Sequence, residues 1–156
     1  MRQRNNKTKA VEIAKDVLKW LSTKKIVPHP GTYWDLAETI PPGSVQTGLR
    51  EVVTKSAPCH VCALGALFIA GVDRYNKLET SYDRQYFNAE EMRNHLDLAF
   101  TLRQLHLIEY AFEQWTNQDD PELTAAGLKY INIDDSTTRL RKICKNIIDN
   151  EGVFTV

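Results

Sequence analysis

If this chain performs chemistry, the first place to look is Cys59-His60-Val61-Cys62, where two thiols and an imidazole open an apolar stretch that runs to Gly71. C-x-x-C is the spacing of thiol redox centres, and a thiol at a helix start is activated because the positive end of the backbone dipole stabilises the thiolate. A thioredoxin-type centre also needs an apolar strand leading into the motif and alternating strands and helices after it, a pattern this sequence does not show. Zinc would need two further ligands, for which only Cys144 and the separated His29, His95 and His106 remain. A thiol hydrolase would need a base facing the sulfur, and His60, adjacent to Cys59, points elsewhere on a helix. Cys59 and Cys62 are therefore expected to be small buried helix residues, with no metal and no cofactor.

A ligand pocket is the second possibility. The loop after the first helix carries Tyr33 and Trp34, and with Cys59 and His60 at the start of the apolar helix these could line a pocket mouth. Arg74 and Arg84 would supply guanidinium groups for an anion such as a nucleotide signal. Elsewhere the acidic pairs Glu90-Glu91 and Asp119-Asp120 suit caps and turns, since no metal loop or Gly-rich phosphate loop surrounds them.

The elements that must position these residues are mostly helical. In 7–25, Ala10, Ile13, Ala14, Val17, Leu18 and Leu21 recur at helical spacing with lysines opposite, after a polar, basic tail at 1–6. Pro28, Pro30 and Gly31 then bar a helix. A short amphipathic helix is expected over 45–54, and a central helix, apolar nearly all round, from Cys59 to Tyr75. Residues 77–87 read as irregular. Asn88 followed by Glu90 and Glu91 is a helix start, and the apolar positions from Met92 to Trp115 give one long helix or two with a bend near Thr101. A short helix over 121–130 and a turn or strand at 131–133 lead to a final helix capped by Asp134-Asp135-Ser136, with the stripe Leu140, Ile143, Cys144, Ile147 and Ile148. The expected fold is all-α, one domain over residues 1–156, a bundle around the central helix with at most a minor β-hairpin.

Composition agrees with a globular domain: 156 residues, 42% hydrophobic and 26% charged. Three cysteines cannot all pair and no charged-then-apolar leader precedes them, so a reduced, cytoplasmic setting is expected. The longest apolar run, 61–72, is too short to span a bilayer, which takes about 20 residues. Net charge is zero but unevenly distributed. Residues 1–30 hold eight Lys or Arg against two acids, and 79–135 hold twelve acids against four bases. Such a dipole favours oriented docking onto a charged partner, or self-association into a homo-oligomer. Lys15, Lys19, Glu109 and Glu113 fall outside the apolar register and are expected on solvated faces, as are Arg139, Arg141, Lys142 and Lys145.

Two segments carry resemblances. Leu123-Thr124-Ala125-Ala126-Gly127-Leu128-Lys129-Tyr130 resembles the Leu-Thr-x-x-Gly segment where the wing of some winged-helix proteins passes into a helix. The region before it is helical and acidic, so phosphate contacts would be scarce and nucleic acid is not expected as a partner. Cys62-Ala63-Leu64-Gly65-Ala66-Leu67 resembles the Cys-x-x-Gly-Ala-Leu core of small helical proteins encoded by phages and bacteria. That resemblance implies a phage or mobile-element origin and action by binding a host factor, in the manner of an anti-defence protein, with no catalytic residues. The first expectation is thus a non-enzymatic protein-binding protein. The alternatives are a protein that sequesters a small anionic ligand and a C-x-x-C redox protein.

Overall fold

The computed structural model describes residues 2–31, 34–36, 59–75 and 89–156. Among these, six helices and a three-stranded sheet make an all-α fold with a minor β element: α1 (Arg2–Ser22), β1 (Ile26–Pro28), β2 (Trp34–Leu36), β3 (Cys59–Val61), α2 (Ala63–Tyr75), α3 (Ala89–Leu96), α4 (Leu102–Glu113), α5 (Pro121–Leu128) and α6 (Ser136–Asp149). The expected helix over 45–54, the irregular stretch 77–87 and the Asn88 cap lie outside the described residues.

The apolar stripe of α1 is buried as its spacing requires, with Ala10, Ile13, Ala14 and Val17 shielded from solvent. The helix begins at Arg2, so it takes in the residues whose composition suggested a loose tail. It stops before the prolines because Lys24 turns left-handed (φ 56°) and the Lys25 N–H donates to Trp20 O at 3.0 Å, a closure that satisfies an orphan carbonyl.

Residues 26–28 then pair with β3, which corrects the central-helix reading. Cys59–Val61 is a strand, parallel to β1 and antiparallel to β2, in the order β1-β3-β2. The sheet is mixed, β1 being added parallel to the antiparallel pair β2 and β3, and helix α2 begins only at Ala63. Local apolarity cannot separate the last residues of a buried strand from the first turn of a buried helix, and Pro58 misleads as a helix start. Pro28 suits an edge strand because its missing N–H costs no ladder bond at the strand end.

Helix α2 is central as expected. It packs against α1, α3, α4 and the sheet, and residues 63–72 are all buried. The apolar stretch 92–115 resolves into two helices, with Thr101 capping α4 by accepting the Gln104 N–H at 3.2 Å. Helix α6 uses its stripe against α1 and α4, and Asp135 caps it by accepting the Thr138 N–H at 2.9 Å.

After α6 the chain turns at Gly152, whose φ of +92° and approach to α1 both exclude a side chain: a Cβ there would lie 2.3 Å from Lys7 O. The tail that follows is held by two carboxamides. Gln104 donates to Phe154 O at 3.0 Å and accepts the Phe154 N–H, while Asn146 donates to Thr155 O at 2.9 Å and accepts the Thr155 N–H at 2.8 Å. Phe154 is thereby sealed into the core.

Candidate functional site

At the end of the sheet, β1, β3 and α4 bring together His29, His60 and Glu113. The two imidazole centroids lie 6.2 Å apart. His29 Nδ1–H donates to Pro30 O at 2.9 Å. Glu113 accepts the Gly31 N–H on both carboxylate oxygens, at 3.1 and 2.9 Å. Burial raises the Glu113 carboxyl above its ordinary range, and the Gly31 N–H opposes that shift. Glu113 is thus no free solvated side chain, contrary to its place outside the apolar register. Among the described residues no group of three His, Cys, Asp or Glu side chains is disposed to hold a metal ion.

The thiols beside it face inward. Cys59 is buried as a strand residue and Cys62 as the residue joining β3 to α2, so neither is the helix residue expected. The Gly65 N–H lies 3.4 Å from Cys62 Sγ. Burial pushes the Cys62 thiol up to about 12 despite that contact, and Cys144 likewise to about 12. A thiol held protonated is a poor nucleophile and a poor metal ligand. We expect native protein to react with a disulfide reagent at neutral pH far more slowly than free cysteine, with three thiols appearing only in denaturant. A fast native phase of one thiol per chain would contradict this burial. These two folded pKa values lie above the unfolded thiol value of about 8.5, so their contribution to stability is complete below that pH. It is lost progressively as pH rises toward 12.

Of the other residues expected at an anion pocket, Arg74 lies elsewhere. Arg74 sits at the opposite end of the 13-residue α2, about 18 Å along the axis from its start, and makes a bidentate pair with Asp16 at 2.6 and 2.8 Å. Its neighbour Tyr75 donates to Glu12, so this end of α2 is fastened to α1. Trp34 is described by its backbone, opposite Val61, and Tyr33 and Arg84 lie outside the described residues.

Two more charges expected on solvated faces are interior. Glu109 is 3% exposed and accepts from Arg93 at 2.6 Å. Arg139 is equally buried, stacking its guanidinium 5.2 Å from the Phe112 ring centroid and donating to Ile133 O at 2.8 Å.

What faces outward instead is a corner where α4 passes into α5. Helix α4 ends at Gln114, left-handed at φ 59°, and its carboxamide donates to Tyr130 O at 2.9 Å and Ile131 O at 3.3 Å. This tie gathers three exposed apolar side chains: Trp115 at 45% exposure, Leu128 at 48% and Ile131 at 45%. Around them, residues 115–135 carry Asp119, Asp120, Glu122, Asp134 and Asp135 against Lys129 alone. Arg103 neutralises part of that charge, pairing with Asp120 at 2.6 Å and with Glu122. Asp119, Asp134 and Asp135 leave the segment acidic in sequence. The sequence reading counted Trp115 with the α4 stripe; the only hint otherwise was the polar run from Gln114 to Asp120 that breaks the periodicity.

Fold and corner together define a small helical protein with a minor sheet, exposing Trp115, Leu128 and Ile131 within an acidic segment of the chain. No family model, curated protein or solved structure matches the chain.

Proposed function

We propose that this chain is a non-enzymatic binding protein that acts in the cytoplasm by docking onto another protein and modulating it. The observation that carries this reading is the exposure of Trp115, Leu128 and Ile131 in an acidic segment of the chain. An aromatic anchor in an apolar centre with charge at the periphery is the usual build of a protein-binding patch. Its complement is a surface offering an apolar recess flanked by lysine or arginine. Burial of the thiols weighs against the redox alternative. The Cys-x-x-Gly-Ala-Leu resemblance favours a phage or mobile-element origin, and with it a host protein as the partner of an anti-defence factor.

The test is capture from host lysate with the wild-type chain and with Trp115→Ala/Leu128→Asp in parallel, followed by kinetics on the purified partner. The double variant should lose the partner, with at least about a hundredfold weaker binding. Charge reversal at Asp119 and Asp134 should chiefly slow association, and the wild-type on-rate should fall about tenfold or more between roughly 50 and 500 mM salt. Equal capture by the double variant, or an on-rate indifferent to salt, would refute the proposal.

A further inference from the structure

A cavity of about 410 Å³ opens on a different side of the molecule, between the first turns of α1, the turn joining α3 to α4, and the tail after α6. Its size falls within the range of pockets that hold small molecules, roughly 300 to 1,000 Å³. Its floor is apolar, made by Ala99, Phe100 and Val153. Leu102, at 59% the most exposed of the large apolar side chains among the described residues, stands at its wall. An exposed leucine continuous with an apolar floor extends the apolar surface that a ligand could cover.

The walls are fixed before any ligand arrives. Gln104 grips both backbone groups of Phe154, anchoring the tail that supplies Val153. Gly152 lets the same tail lie against Lys7 O, too near for any side chain. Binding there would therefore cost little ordering of the protein.

The charge around the cavity selects the ligand. Lys7 lies on its wall and exposed Arg4 is one turn away on α1, whose first turn holds no acid. On the facing side α4 begins, without an acid in its first turn, so the positive end of one helix also faces the cavity. Among the described residues, Asp97 is the one carboxylate lining the cavity. An anionic head on the Lys7 side, away from Asp97, with its apolar body over Phe100 and Val153, satisfies every group named.

We infer that this cavity is a binding site for a small amphipathic anion, an aromatic or aliphatic body bearing one carboxylate, sulfonate or phosphate. Arg74 is not among its lining residues, and the cavity is separate from the proposed docking corner.

The probe is 8-anilinonaphthalene-1-sulfonate, titrated by fluorescence and calorimetry into the full chain. We expect one saturable site with a dissociation constant on the order of 10⁻⁵ M. Lys7→Glu and Leu102→Glu alter exposed side chains and so leave the fold intact; each should weaken binding about fivefold or more. Val153→Trp, which fills the cavity, should abolish it, and Trp115→Ala should leave it unchanged. Absence of saturable binding, or binding that Lys7→Glu and Leu102→Glu both leave untouched, would overturn the inference. Loss of the probe on Trp115→Ala would place it at the docking corner instead and would overturn it equally.

Discussion

Replacing Gly127 by alanine is expected to destabilise the protein by about 3 kcal/mol or more, although alanine is the better helix former. A Cβ at this position would lie 1.6 Å from Trp115 O and 2.7 Å from Trp115 C, and both are backbone atoms. No rotamer change relieves that collision; α5 must move away from the segment that follows α4. The segment cannot yield freely, because Asn117 N–H donates to Thr124 Oγ1 at 2.9 Å and Thr124 Oγ1–H donates back to Asn117 O at 2.7 Å. Ala125→Gly, an exposed change two residues earlier in α5, serves as the control, with an expected cost of only about 1 kcal/mol from helix propensity. Urea unfolding of the two variants checks the contrast. A Gly127→Ala cost below about 1 kcal/mol would show that α5 does not rest on the Trp115 backbone. The glycine that gives Leu123 to Tyr130 its winged-helix likeness thus has a packing role, and the same substitution should displace Trp115 and impair docking.

Arg93→Met is expected to cost about 3 to 5 kcal/mol, with a fall in Tm of roughly 10 °C. Glu109 is almost wholly buried, and the variant withdraws the guanidinium that pairs with it at 2.6 Å. A carboxylate stripped of its counter-charge in a low-dielectric interior meets the desolvation cost without the Coulombic return. The double variant Arg93→Met/Glu109→Leu should recover most of the loss, since apolar groups can fill the volume with nothing left to neutralise. A local probe accompanies the global one. His106 is held below its ordinary range first by burial and next by the positive charge of Arg93. In Arg93→Met its pKa, followed by NMR, should rise while remaining below that of a free imidazole. An unmoved His106 together with a stability change under about 1 kcal/mol would mean that the pair does not form in solution.

Both residues show where sequence stopped being informative. Glu109 lies outside the apolar register of α4, and periodicity therefore assigned it to solvent. The assignment fails because Arg93, from α3, reaches Glu109 and pairs with it at 2.6 Å. Arg139 was likewise placed on the polar side of α6, yet the turn at Ile133 and the ring of Phe112 enclose it. A charged residue reads as exposed until its partner is known, and partners from other elements leave no mark in local spacing.

What the sequence determined by itself was the set of helices whose burial repeats at helical period. Helices α1 and α6 were legible because their stripes leave one face continuously apolar. Asp135 was legible as a helix start because its side-chain oxygen satisfies an amide within the same turn, whereas Thr101 was legible only as the place of a possible bend. All of these are interactions among neighbours in the chain. Only the tertiary structure decided that Cys59–Val61 is a strand, since a three-residue strand exists through its pairing with Ile26–Pro28 and Trp34–Leu36, both distant in sequence. It likewise decided that Trp115 faces outward, through the left-handed turn at Gln114 and its hold on Tyr130 and Ile131. The candidate sites share that origin. The docking corner and the cavity are made where separate elements meet, and the free energy of such meetings depends on shape and burial across the fold rather than on residue order.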